Sequence, residues 1–211
     1  MKFIPTGVAS LLLVMHFRLV AGKALPVDSP SPLCEKKYTC SNRVFEQIRK
    51  QVILLNGTAQ ELFNIYVKWQ GDTFRNHTDK LCNPDTIFFP AFHVNQTSEK
   101  KEIVVALYKI FAFLNASLGN ITRDQEELNP KVTELLERLN NTTKTTRGLM
   151  VNLSCLLCTR YNVSQVDVIY GESTKGKNHF KKKQQGCQVL AKYVQVIAKA
   201  AQVLLPHVND V

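Results

Sequence analysis

The chain has 211 residues, 27 Lys and Arg against 17 Asp and Glu, a net charge of +10 and 45% hydrophobic residues. That length and apolar content suit one domain that buries a core without metal, and the basic balance suits sulfated glycans or acidic protein surfaces as partners. Residues 1–22 read as a secretory signal peptide: Lys2 gives the positive start, residues 8–15 a short apolar run, and Val20-Ala21-Gly22 a cleavage site. The run is too short for a membrane span and is broken by His16 and Arg18, and no later stretch approaches ~18 uninterrupted apolar residues. The expected mature protein, 23–211, is therefore soluble, extracellular and a single domain, of charge +8 once Lys2 and Arg18 are gone. Secretion makes nucleic acid a poor partner.

Six cysteines follow the signal: Cys34, Cys40, Cys82, Cys155, Cys158 and Cys187. An even number in that context reads as three disulfides, with fifteen possible pairings. Nine N-x-S/T sequons begin at Asn56, Asn76, Asn95, Asn115, Asn120, Asn140, Asn141, Asn152 and Asn162, and Asn140 and Asn141 overlap, so both are not expected to be modified.

Residues 23–38 are rich in Pro and Ser and read as an irregular arm tied down by Cys34 and Cys40. Ser41 opens a first helix, 41–70, whose Val44, Ile48, Val52, Leu55, Ala59, Leu62, Tyr66 and Trp69 step by three and four. Gly57 weakens it by about 1 kcal/mol without ending it. Residues 71–97 have no helical period and contain Pro84 and Pro90, so they read as a long loop. Ser98 and Glu99 begin a second helix, 98–128, with the stripe Ile103, Leu107, Ile110, Leu114, Leu118 and Ile121. Asn129-Pro130 stops it and starts a third, 130–160, as N-cap and first-turn proline. The Thr-rich 140–146 is the poorest helical stretch of the chain. In the second long connection, 161–177, alternating Val166, Val168 and Tyr170 allow a short extended segment. The last helix, 178–205, is capped by Asn178, stopped by Pro206, and carries Cys187, Leu190, Val194, Ile197, Ala201 and Leu204 on one face.

Loop lengths bound the topology. A helix of about 28 residues is about 42 Å long, so a connection returning to the same end needs at least ~12 extended residues. The junction at 129–130 is too short for that, which makes the second and third helices antiparallel neighbours. The stretches 71–97 and 161–177 are long enough to cross. If both cross, the fold is an all-α, long-chain four-helix bundle running up-up-down-down with two long crossover loops; the same lengths also permit loops that wander between antiparallel helices.

No catalytic, metal or cofactor site is expected, and the chain does not read as an enzyme. His16, His77, His93, His179 and His207 are scattered, and G-x-S-x-G, P-loop and H-E-x-x-H motifs are absent. Cys155-Leu156-Leu157-Cys158 has the spacing of a redox or zinc pair, but it lies in an apolar helix with no partner pair, so structural disulfides are the better reading. Phe180 lies seven residues before Cys187, in line with the core stripe, and the spacing favours a buried ring. Lys181, Lys182 and Lys183 beside it would keep that turn wet, and with Lys192 they suggest a cluster that steers approach to an acidic surface. A secreted lipid-binding helical carrier is the alternative reading, and it requires an internal cavity.

Several stretches carry a resemblance: Leu54-Leu55-Asn56-Gly57, Asp79-Lys80-Leu81-Cys82, Phe89-Pro90-Ala91-Phe92-His93, Leu128-Asn129-Pro130 and Lys182-Lys183-Gln184-Gln185-Gly186-Cys187. The longest is Ser117-Leu118-Gly119-Asn120-Ile121-Thr122-Arg123-Asp124-Gln125. With these, the sequence resembles the leukemia inhibitory factor branch of the interleukin-6-type cytokine family from the signal to about Gln202. The resemblance implies a monomeric secreted cytokine and growth factor, without cofactor, that bridges the leukemia inhibitory factor receptor and glycoprotein 130 to trigger JAK-STAT signalling. It implies the pairings Cys34–Cys158, Cys40–Cys155 and Cys82–Cys187. It also implies that Phe180 and Lys183 contact the specific receptor, while Gln47, Gly148 and Asn152 contact glycoprotein 130. Lys50 and Leu54 depart from the small or polar residues of the family. A glycan on Asn152 would obstruct that second surface, so Asn152 is expected to be unmodified and the glycans to fall on Asn56, Asn76, Asn95, Asn115, Asn120, Asn140 and Asn162. Glycosaminoglycan binding through the lysines is a companion expectation.

Overall fold

The computed structural model describes residues 33–34 and 40–205. The expected signal peptide, 1–22, lies outside the described residues. The elements in chain order are α1 (Val44–Gln70), α2 (Asp72–Asn76), α3 (Thr78–Leu81), a 3₁₀ turn (Pro84–Thr86), α4 (Lys100–Leu128), α5 (Thr133–Thr159) and α6 (His179–Val203). No strand occurs among the described residues, so the alternation at 166–170 does not become one; Val166 is simply a buried loop residue.

Cross-helix pairs give the directions. Gln51 meets Asn152 and Glu61 meets Arg138, so α1 and α5 run antiparallel. Tyr66 meets Lys183 and Leu55 meets Tyr193, so α1 and α6 also run antiparallel. Asp124 and Glu127 at the end of α4 meet Lys182 at the start of α6. Gln70 and Gln125 bring the ends of α1 and α4 together, which makes those two parallel. The result is the up-up-down-down bundle, with both long loops as crossovers.

The three-and-four stripes of all four long helices meet inside. Ile48, Leu62, Leu107, Leu114, Leu135, Leu149 and Ile197 are almost completely buried. Helix α4 is long and apolar enough to cross a bilayer, yet half of its most apolar stretch is buried in the bundle, as a core helix requires. The Thr-rich part of α5 is continuous helix, in which Thr143 and Thr145 return their hydroxyls to the carbonyls of Leu139 and Asn141.

Several expected details differ. Helix α1 begins at Val44, because Ser41 accepts from the Arg43 amide in a turn rather than opening the helix itself. Helix α5 begins at Thr133, since Asn129 and Val132 close a turn that contains Pro130. The loop 71–97 holds α2, α3 and the 3₁₀ turn. Trp69 stands outside the core at 39% exposure, with the Lys68 ammonium 5.3 Å from its ring, and Gln70 takes the buried place at the end of the stripe.

The disulfides are Cys34–Cys158, Cys40–Cys155 and Cys82–Cys187, closing sequence separations of 124, 115 and 105 residues. These are the pairings that the resemblance implied. Two tie Cys34 and Cys40 of the arm to the end of α5, and the third ties the end of α3 to α6. Each contributes about 2–4 kcal/mol, largely by restricting the unfolded chain.

Gly186 lies where α6 crosses Tyr66, and a Cβ there would collide with the buried phenol. Overpacking of that kind costs about 1–3 kcal/mol, against ~1 kcal/mol gained in helix propensity on replacing glycine by alanine. Gly186→Ala is therefore expected to lower the urea midpoint, and adding Tyr66→Phe to recover part of the loss by removing the colliding oxygen. An unchanged midpoint for Gly186→Ala would mean that Tyr66 moves aside freely.

Candidate functional site

The first turn of α6 forms the tip of the bundle. Asn178 caps it by accepting from the Lys181 amide at 2.9 Å. Phe180 is 44% exposed, its ring packed at 5.5 Å against Phe74, which is itself buried. The core position favoured by spacing is thus corrected. Helix α2 brings Phe74 over the end of the core, and Phe180 rests on the outer side of that ring.

The lysines beside it are pinned rather than free. Lys183 Nζ donates to the Gln70 carbonyl at 3.1 Å, at the end of α1. The Lys182 side chain is only 11% exposed and lies 2.5 Å from Glu127 Oε2 and 3.7 Å from Asp124 Oδ1. Lys192 pairs with Asp85 at 3.2 Å, and exposed Lys181 reaches Gln184. Of the expected steering cluster, Lys183, Lys182 and Lys192 therefore bridge to α1, α4 and the first long loop, and Lys181 alone stays on α6.

Beneath the tip lies a buried polar layer. Tyr66 donates its hydroxyl to the Lys183 carbonyl at 3.0 Å. Gln70 donates to Gln125 at 3.0 Å and to the Tyr66 carbonyl at 2.9 Å, and Asn129 donates to Gln125 at 2.7 Å. Burial first, and the Asp124 carboxylate second, push the Tyr66 phenol far above its ordinary range, so it stays a donor. Sequence reading missed this layer. Its signal was two glutamines standing where the stripes call for apolar residues, Gln70 four after Tyr66 and Gln125 four after Ile121.

The second group of residues comes together on α1 and α5. Gln47 and Lys50 are exposed, and Leu54 is 58% exposed. Asn152 Nδ2 donates to Gln51 Oε1 at 2.9 Å, and a Cβ on Gly148 would stand 3.2 Å from Gln51 Nε2. Gln51, which spacing did not single out, is one link between the two helices. Below it a cleft of about 400 Å³ is lined by Leu54, Thr58, Arg138, Asn141 and Thr145. Arg138 closes it with two hydrogen bonds to Glu61 at 2.6 and 2.7 Å.

The Lys182–Glu127 bridge sets a pH dependence. The hydrogen bond from Lys182, then its charge, hold the Glu127 carboxyl below the ordinary carboxylate range, and the same bond holds Lys182 above its own. A depressed carboxyl stabilises above its unfolded pKa and loses that contribution as pH falls through the folded value; the raised lysine loses its share only as pH rises past ~10. Glu127→Gln is expected to melt below wild type at neutral pH, and the two melting curves to converge as pH falls through the depressed Glu127 value, below the ordinary carboxylate range. A gap that persists once acid has protonated the carboxyl in both states would assign the loss to packing.

A profile of the LIF / OSM family matches residues 43–204. The match runs from the residue before α1 to the residue after α6 and covers all four long helices. Together with the bundle topology, it places the chain in the LIF / OSM family, interleukin-6-type helical cytokines that act as signalling ligands.

Proposed function

We propose that this cytokine is secreted and signals by holding two receptor chains together, the leukemia inhibitory factor receptor at Phe180 and Lys183 and glycoprotein 130 across Gln47, Gly148 and Asn152. JAK-STAT activation then follows from the proximity of the two membrane-bound partners. The observation that carries this reading is the Phe180 ring, 44% exposed and braced by Phe74. An aromatic anchor already held in place loses little conformational freedom on binding, and such anchors dominate interfaces. Lys183 gives one of its three donors to Gln70 and keeps two for a partner's carboxylate.

The separation of the two surfaces supports the bridging reading. Leu54 stands sixteen residues before Gln70, about 24 Å along α1, so two partners have room to bind at once. At Gly148 the missing side chain lets a partner backbone come close. Three disulfides suit an oxidising extracellular setting. Asn56, Asn76, Asn95, Asn140 and Asn162 are exposed and suited to glycans, whereas Asn152 has its Nδ2 in the bond to Gln51. The lipid-carrier alternative gains no support from the two clefts described, which open on the surface.

Phe180→Ala is expected to weaken binding to the leukemia inhibitory factor receptor ectodomain about 30-fold or more, the equivalent of ~2 kcal/mol, with binding to glycoprotein 130 and the far-ultraviolet spectrum unchanged. Gly148→Trp is expected to do the reverse. Normal binding of Phe180→Ala to both ectodomains would remove the reading. A further check is glycopeptide mass spectrometry of active protein, expected to find Asn152 bare.

A further inference from the structure

We infer that the cleft between α4, α6 and the two long loops is the seat of an N-glycan carried by Asn120, with its first N-acetylglucosamine units lying against Phe88 and Tyr170. The cleft holds about 530 Å³, inside the ~300–1,000 Å³ range of small-molecule sites. Phe113 lines it and is 1% exposed, while Phe88 and Tyr170 stand beside it at 50% and 58% exposure. The Phe88 ring meets Phe113 edge-on at 6.1 Å. Gly171 approaches so closely that a Cβ would lie 3.1 Å from the Phe113 ring, and this approach brings the Tyr170 loop onto the cleft. Two aromatic rings facing water beside one cleft offer a stacking face to an occupant. A pyranose ring suits them, since its C–H face stacks on aromatic carbon while its hydroxyl and acetamido groups reach Ser117, Gln184 and Gln188 on the wall.

The tether identifies the occupant. Asn120-Ile121-Thr122 is a sequon, and Asn120 itself lines the cleft. Arg123 donates to Asn120 Oδ1, which leaves Nδ2, the atom that bears the sugar, without a hydrogen bond. Asn152 shows the opposite arrangement, with its Nδ2 engaged by Gln51. A covalently held sugar needs only weak stacking to stay in place, because its effective concentration at the cleft is high. Phe180 and Lys183 are not among the residues that line the cleft, although Lys181 and Gln184 beside them are.

This inference rests on the secretory reading, and the experiment separates the two. The full chain is produced in a mammalian secretory host that leaves oligomannose glycans and is treated, undenatured, with endoglycosidase H. Release is followed site by site by glycopeptide mass spectrometry. Asn120 is expected to be occupied and to lose its glycan about 10-fold more slowly than exposed Asn56 and Asn76, the factor that ~1.4 kcal/mol of stacking provides. Phe88→Ala is expected to raise the Asn120 rate to theirs, and Tyr170→Ala, at a more exposed position, gives the same readout if Phe88→Ala disturbs the loop. An unoccupied Asn120 beside occupied neighbours, equal release rates, or no response to either substitution would overturn the cleft assignment. Bare asparagine at every sequon would overturn the secretory reading with it.

Discussion

A buried phenol sets the geometry of the whole upper end of this bundle. The Tyr66 hydroxyl, wholly out of contact with water, donates to the Lys183 carbonyl and receives Gln125 at 3.4 Å. A phenol in that place stays satisfied only while α1, α4 and α6 hold their relative heights, because an unpaired buried hydroxyl costs about 1–3 kcal/mol. Gly186 lets α6 come near enough for the bond to form. The height of α6 is thereby fixed at its first turns, where Phe180 and Lys183 project. Burial and surface chemistry meet on one helix, with Cys187 inside and Phe180 outside only two turns away.

The first crossover loop is part of the same device. Helix α2 supplies Phe74 as a bracket for the Phe180 ring, and the Cys82–Cys187 bond ties the stretch after it to α6. The bracket and the ring it braces are therefore joined covalently as well as by packing. A loop of this length would otherwise carry a large conformational entropy into any complex. The α1–α5 surface is organised differently. Gln47, Lys50, Leu54, Gly148 and Asn152 include no aromatic anchor, and the cross-links are the Gln51–Asn152 hydrogen bond beside Gly148 and the Arg138–Glu61 pair.

What could be read from the residues follows from where the core lies. Each long helix buries one side, so the three-and-four steps of α1, α4, α5 and α6 report it directly. Helix starts shifted by about three residues because Ser41 and Asn129 form turns that sequence alone does not distinguish from caps. Helices α2 and α3, five and four residues long, are too short to show a period. Phe180 falls on the core stripe by spacing and outside it in space, and only Phe74, over a hundred residues earlier, decides between the two. Gln70 and Gln125 were polar interruptions with no local meaning until the ends of α1 and α4 were brought together.

The lysines show the same dependence on distant partners, and it changes how the tip can bind. Lys181, Lys182 and Lys183 read as a run of positive charge, but Asp124 and Glu127 lie against Lys182. Three lysines set against two carboxylates leave a field far weaker than the run suggests, and salt screens what remains within ~10 Å. Long-range steering raises association rates when a patch keeps one sign of charge, whereas a braced aromatic ring acts mainly on dissociation. With most of its charge offset and its ring held by Phe74, the tip is built to keep a partner rather than to draw one in from a distance.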